Sequence, residues 1–159
     1  MKHSLRIFLI IIGLSFIVSC EKWMELIPPE GLIREEFWKS KEDVEAVLMG
    51  AYDTFGSMNG SLFLYGELRA DMIVPDYNLG SAERNMNEST IEPDNYLCNW
   101  QNFYQVINYC NEVIKNAPLV QEIDNTFTPY QLNGFLAEAV FLRSLTYFYL
   151  VRIFKDVPY

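Results

Sequence analysis

From residue 40 onward, apolar residues recur at three- and four-residue steps, the spacing of one helix face. The first stripe is Val44, Val47, Leu48, Ala51, Tyr52 and Phe55. Ser40 stands ahead of it as an N-cap, with Asp43 at the third helical position. Glu42, Asp43 and Glu45 suit the positive end of a helix, and Gly56 predicts its stop. A shorter helix is predicted over 63–72, ahead of Pro75. Residues 75–99 are polar and without period, which predicts a long loop. Trp100, Phe103, Ile107, Cys110 and Ile114 then make a single apolar seam. It predicts a third helix over 99–116, closed by Pro118. Thr128, Pro129 and Gln131 open a fourth as N-cap, first-turn proline and capping-box partner. That helix runs to about 154, where Asp156, Val157 and Pro158 stop it. Leu136, Ala139, Val140, Phe141, Leu145, Phe148, Tyr149 and Ile153 leave it almost no polar face. A helix apolar nearly all round wants neighbours on several sides, more than three other helices supply. The pattern therefore predicts an all-α fold and a chain that is the N-terminal part of something larger.

The start of the chain is patterned differently. Lys2, His3 and Arg6 precede an apolar block, Ile7 to Ile12 and Leu14 to Val18, broken only by Gly13 and Ser15. This is the layout of a secretory signal peptide, too short for a span of about 20 apolar residues. It ends in Ile17-Val18-Ser19-Cys20, the form of a bacterial lipobox. Cys20 is thus the expected lipidation site and the first residue of the mature protein. Several acyl chains, at about 0.8 kcal/mol per buried methylene, give a stable membrane anchor. The expected organisation is a signal over 1–19, a lipidated tether and extended arm over 20–39, and a helical domain over 40–159. In the arm, Pro28 and Pro29 block helix and Gly31 follows, while Trp23, Leu26 and Ile27 are apolar enough to pack onto the body.

Composition narrows the chemistry. Of 12 basic residues, Lys2 and Arg6 leave with the signal, so 10 face 21 acidic ones, a net charge of −11. That excludes a basic nucleic-acid face and a polybasic membrane contact. The one histidine, His3, also leaves, and with it any imidazole base, nucleophile pair or histidine metal ligand. No metal, cofactor or catalytic residue is expected. Cys98 and Cys110 would lie about 16 Å apart along a helix starting near Asn99, beyond the ~7 Å reach of a disulfide. Both are expected as free thiols.

Several groups of residues together resemble the SusD/RagB family of outer-membrane nutrient-binding lipoproteins. They are Trp23, Leu26 and Pro28 after Cys20, then Phe37-Trp38 and the stretch from Asp43 through Gly50-Ala51-Tyr52. Gly66-Glu67-Leu68-Arg69 with Asp71 follows, then Trp100, Tyr104, Ile107, Asn108, Asn111 and Ile114. The last group is Glu138, Ala139, Phe141, Leu142, Arg143, Tyr147, Phe148, Leu150, Val151 and Arg152, ending in Asp156-Val157-Pro158. Ser144 departs from the family's frequent Ala. Lys155 stands where Gly is common, so the local turn is expected to differ. The resemblance implies tetratricopeptide-like helix pairs with long loops. Ala137 and Phe141 fit that repeat's Ala-x3-Phe element, whereas Trp100 does not fall at its consensus offset. It further implies an outer-membrane lipoprotein facing the exterior. Its partner would be a SusC-like TonB-dependent outer-membrane transporter, to which it delivers an oligosaccharide or other nutrient without catalysis.

Sugar binding needs flat aromatic faces and fixed hydrogen-bonding groups. The loop over 75–99 offers Asp76, Tyr77, Asn78, Arg84, Asn85, Asn95 and Tyr96, with Trp100 and Asn102 just beyond. Arg84, Asn95, Tyr96, Trp100 and Asn102 are the candidate ligand residues, although Trp100 equally continues an apolar seam. Glu138 and Arg143 are charges in an apolar helix and are expected to pair with another helix, through Arg69 or Asp71. Two other readings compete. One is a helical protein-interaction scaffold. The other is a fragment of a glycoside hydrolase, which needs two carboxylates about 5–9 Å apart that nothing in the pattern marks.

Overall fold

The structure is a computed structural model that describes residues 37–74 and 76–159. The signal segment, Cys20 and the arm residues Trp23, Leu26, Ile27, Pro28, Pro29 and Gly31 lie outside the described residues, as does Pro75. Five α-helices follow in order among the described residues, with no strand: α1 Lys41–Ser57, α2 Asn59–Phe63, α3 Ser81–Asn87, α4 Gln101–Ile123 and α5 Pro129–Phe154. A π-helical turn, Leu64–Leu68, continues α2, and a 3-10 turn, Tyr96–Cys98, precedes α4.

The two predicted helix starts form as written. The Asp43 carboxylate accepts the Ser40 N–H at 2.8 Å, a backbone donor that the start of α1 leaves open, and also the Ser40 hydroxyl at 2.9 Å. Thr128 Oγ1 accepts the Gln131 N–H at 3.3 Å, and Gln131 Oε1 accepts the Thr128 N–H at 3.1 Å. This is the reciprocal capping box that fixes the start of α5.

α4 is the central element and packs along both α1 and α5. It buries Phe103, Val106, Ile107, Cys110, Val113, Ala117 and Val120 against Val44, Leu48 and Ala51 of α1 and Ala139, Leu142 and Leu150 of α5. Thr146 is the buried polar residue of this core, and its hydroxyl donates to the Leu142 carbonyl at 2.7 Å. The start of α1 meets the end of α4, and Tyr104 at the start of α4 bonds the Pro158 carbonyl beyond α5 at 2.7 Å. α1 and α4, and α4 and α5, are therefore antiparallel pairs, the arrangement of a tetratricopeptide-like layer.

Several boundaries differ from the sequence expectation. α1 passes Gly56 to Ser57, and Met58 keeps helical geometry, so the chain rolls directly into α2. The second helix thus begins at Asn59, not 63, and its π-helical continuation stops at Leu68, just before Asp71, whose φ is 59°. There Met72 N–H bonds the Glu67 carbonyl at 3.0 Å and Asp71 N–H bonds that of Leu68 at 3.3 Å, the paired bonds of a Schellman stop. The region expected as loop holds α3 and the 3-10 turn. α3 stops the same way, with Ser89 at φ 58° and Thr90 N–H on the Asn85 carbonyl at 2.8 Å. α4 does not close at Pro118 but runs through it to Ile123. A proline inside a helix costs about 3 kcal/mol. Burial of Val120 in the turn beyond it, at about 1.5–3 kcal/mol for a valine-sized side chain, offsets much of that.

Glu138 and Arg143 do not pair with Arg69 or Asp71. Glu138 Oε2 accepts from the Tyr52 hydroxyl at 3.2 Å, and Arg143 Nη1 donates to Asn111 Oδ1 at 2.8 Å. Both partners are neutral and lie on the adjoining helices, α1 and α4. Asp71 instead closes a helix stop. Cys98 and Cys110 are free thiols, as expected; burial pushes the Cys110 thiol up to about 11.

Candidate functional site

The segment between the π-helical turn and α4 carries the predicted ligand residues, and a small set of bonds holds it in place. Leu68, Met86 and Leu97 are buried under it. The Tyr65 hydroxyl, from the π turn, donates to the Leu97 carbonyl of the 3-10 turn. Burial, with the neighbouring Cys98 and Tyr96, pushes the Tyr65 hydroxyl up to about 12, so it stays a donor. Asn95 works in both directions. Its Oδ1 accepts the Leu97 N–H at 3.0 Å and its Nδ2 donates to the Ala82 carbonyl of α3 at 3.0 Å. That amide ties α3 to the 3-10 turn and is spent on internal bonds.

The remaining candidates fall into two recesses and an aromatic stack. Arg84 lines a recess of about 190 Å³ with Asp76, Tyr77, Leu79, Asn87 and Glu88. One guanidinium N–H of Arg84 reaches the Leu79 carbonyl at 3.4 Å, and Asn87 Oδ1 is buried there with no hydrogen-bond partner among the described residues. Tyr96 and Asn102 line a second recess of about 220 Å³ with Met58, Ser61, Tyr65, Asn99 and Phe103. Tyr96 is 57% exposed and its hydroxyl donates to the Glu83 carboxylate of α3. That bond pushes the Tyr96 hydroxyl up to about 12 and holds Glu83 below its ordinary value. Trp100 is 37% exposed and belongs to neither recess. It stacks at 6.2 Å on Tyr104 and lies tilted against Phe154 at 5.7 Å, joining the start of α4 to the end of α5. Trp100 thus stands outside the buried core as well as outside both recesses.

A third and larger cleft, of about 490 Å³, was not visible in the sequence. Leu62, Tyr65, Gly66, Arg69 and Ala70 form one wall and Phe148, Tyr149, Arg152 and Ile153 the other. Its residues stand some 80 positions apart, so only the fold brings them together. The sequence offered no signal for it: Arg69, between Glu67 and Asp71, and Arg152, near Lys155 and Asp156, read as ordinary surface cations.

A family model described as "Starch-binding associating with outer membrane" matches residues 22–159. The chain belongs to this SusD-like family. Among curated relatives, SusD-like protein P38 of Formosa agariphila is 32% identical over 155 residues, covering 95% of this chain and 29% of that protein. SusD-like protein P2 of the same organism is 30% identical over 158 residues, covering 94% of this chain and 30% of that protein. SusD-like protein P25 is 28% identical over 158 residues. The chain thus spans under a third of the length of the curated SusD-like relatives it matches. No solved structure gives a significant match. The match at residues 22–159 takes in every SusD-like candidate residue after Cys20.

Proposed function

We propose that this chain is a non-catalytic glycan-binding lipoprotein of the outer membrane. It would be anchored through Cys20, face the exterior, and pass oligosaccharide to a SusC-like TonB-dependent transporter. The observation that carries the binding step is the Tyr96 recess. There an exposed phenol ring, oriented by Glu83, stands beside the amides of Asn99 and Asn102. A flat ring suits the apolar face of a pyranose, and the Asn102 amide offers a donor and an acceptor for a hydroxyl pair. Arg84 in the neighbouring recess supplies further donors. The starch-binding character of the SusD-like family supports starch-type glucans as the first ligands to try. Calorimetric titration of the chain with maltooligosaccharides should show binding. Tyr96→Ala and Asn102→Ala should each weaken it about tenfold, the worth of one good stacking or polar contact. Binding that is unchanged in both variants, or absent from a glycan array altogether, overturns this reading.

The scaffold reading has one observation in its favour. Val140, Phe141, Phe148 and Val151 leave an apolar side of α5 open. Co-purification of a protein partner on that side, with no glycan affinity, would favour it. Reducing-sugar release by the chain would instead favour the hydrolase reading.

A further inference from the structure

The cleft between the π-helical turn and the end of α5 brings together two arginines, Arg69 and Arg152, with the rings of Tyr65, Phe148 and Tyr149. Among the described residues, no acidic residue lines it. Neither guanidinium meets a carboxylate among the described residues, where the ion pair found is Lys41–Glu42 at 3.9 Å. Arg69 Nη1 makes one long bond, 3.4 Å, across the cleft to the Ile153 carbonyl. Arg152 lies over the Phe148 ring at 5.3 Å. Both side chains are exposed, and among the described residues most of their donors are unused.

This is unusual in a chain of formal charge −9, where a cation has carboxylates in plenty to pair with. Guanidinium forks match the planar or tetrahedral oxygens of carboxylate and sulfate groups. The π turn that supplies Tyr65 and Gly66 is a local departure from α-helix, of a kind often found at functional positions. The cleft is also the largest of the described recesses, and its aromatic members can face a sugar ring.

We propose that this cleft receives the acidic group of a charged oligosaccharide, a carboxylate or a sulfate ester, on Arg69 and Arg152. Tyr65, Phe148 and Tyr149 then provide the wall for the ring that carries the charge. The inference rests on the glycan-binding reading above and narrows it to acidic saccharides at a second site.

The test is calorimetric titration of the full chain with three oligosaccharides of equal length, one neutral, one uronate and one sulfated, and with sodium sulfate alone. At least one acidic oligosaccharide should bind about tenfold more tightly than the neutral one, with affinity falling as salt is raised. Which acidic ligand wins separates the carboxylate source from the sulfate source. Arg69→Gln and Arg152→Gln should each remove most of that preference and leave neutral binding unchanged. Arg69→Lys and Arg152→Lys, which keep the charge, should retain part of it and guard against a folding defect in the glutamine variants. Equal affinity for neutral and acidic ligands, or a preference that survives both glutamine variants, overturns the cleft while leaving the glycan reading intact. Arginine-dependent binding of sulfate with no affinity for any oligosaccharide refutes the glycan reading and keeps the anion site.

Discussion

The carboxylate of Asp124, the residue that ends α4, accepts the backbone N–H of Lys41, the first residue of α1, at 3.0 Å. Its other oxygen accepts the N–H and the hydroxyl of Thr126, each at 2.8 Å. One side chain thus satisfies an open donor of α1, shapes the turn into α5 and fixes the antiparallel crossing of α1 and α4. Asp43 does the local part of the same work at the Ser40 cap.

These two aspartates make stability depend on acid. Hydrogen bonds from Lys41 N–H, and then from Thr126, hold the Asp124 carboxyl below its ordinary value. Burial pushes Asp43 up, but bonds from Ser40 and Lys39 outweigh it and the net shift is downward. A carboxyl depressed in the fold binds protons more readily when unfolded. Its contribution is therefore present above the unfolded value of about 3.9 and is lost as pH falls through the folded value. Melting temperature should drop as pH falls below about 4, and the Asp43→Asn, Asp124→Asn double variant should drop less steeply there. Parallel curves for the two proteins would show that these carboxyls do not carry the acid sensitivity.

The Tyr96–Glu83 bond makes a second titration prediction. Tyr96 and Tyr65 are both pushed up to about 12, Tyr96 first by its bond to Glu83 and Tyr65 first by burial. Absorbance titration of the folded chain should show tyrosines that ionise late. Glu83→Gln should bring one of them back toward 10 and leave the other unmoved. A titration unchanged by Glu83→Gln would mean that the carboxylate does not hold the phenol.

The helix starts were legible because capping chemistry is local. Ser40 with Asp43, and Thr128-Pro129 with Gln131, act within one turn. Helix stops were less so. Asp71 and Ser89 close helix stops with positive φ though neither is glycine, and Pro118 fails to end α4 because the core holds the turn beyond it. The sites depend on tertiary placement. Tyr96 and Asn102 share a recess and Arg84 lines the next one. Asn95 turned inward because its amide matches the spacing of Leu97 N–H and the Ala82 carbonyl. Arg69 and Arg152 are 83 positions apart, and no periodicity links them.

Lys155 follows α5 with φ 66° and ψ −93°, a sparsely populated conformation that costs a non-glycine residue about 1–3 kcal/mol. The strained turn occurs here with lysine in place, and the Lys155 N–H still bonds the Val151 carbonyl at 2.9 Å. Lys155→Gly should therefore raise stability by about 0.5–1 kcal/mol, part of the relief being returned as backbone entropy of the unfolded chain. Urea denaturation reads this as a higher midpoint with an unchanged slope. A lower midpoint would show that the lysine side chain contributes more than its backbone costs.

Phe141 and Leu142 are neighbours in α5 with opposite surroundings. Leu142 is buried beneath α4, while Phe141 is 61% exposed on the side shared with Val140, Phe148 and Val151. Truncating a buried leucine leaves a cavity, and Leu142→Ala should cost about 2–5 kcal/mol. Phe141→Ser removes apolar surface that already meets solvent, so its effect on stability should stay within about 0.5 kcal/mol. The same change should lower binding of a hydrophobic dye to the folded chain, because it breaks a contiguous apolar patch. The two readouts must therefore separate: the midpoint moves for Leu142 and the dye signal moves for Phe141. A large loss of stability in Phe141→Ser would mean that this side of α5 is covered in solution, for instance by self-association, which sedimentation of both variants would then reveal.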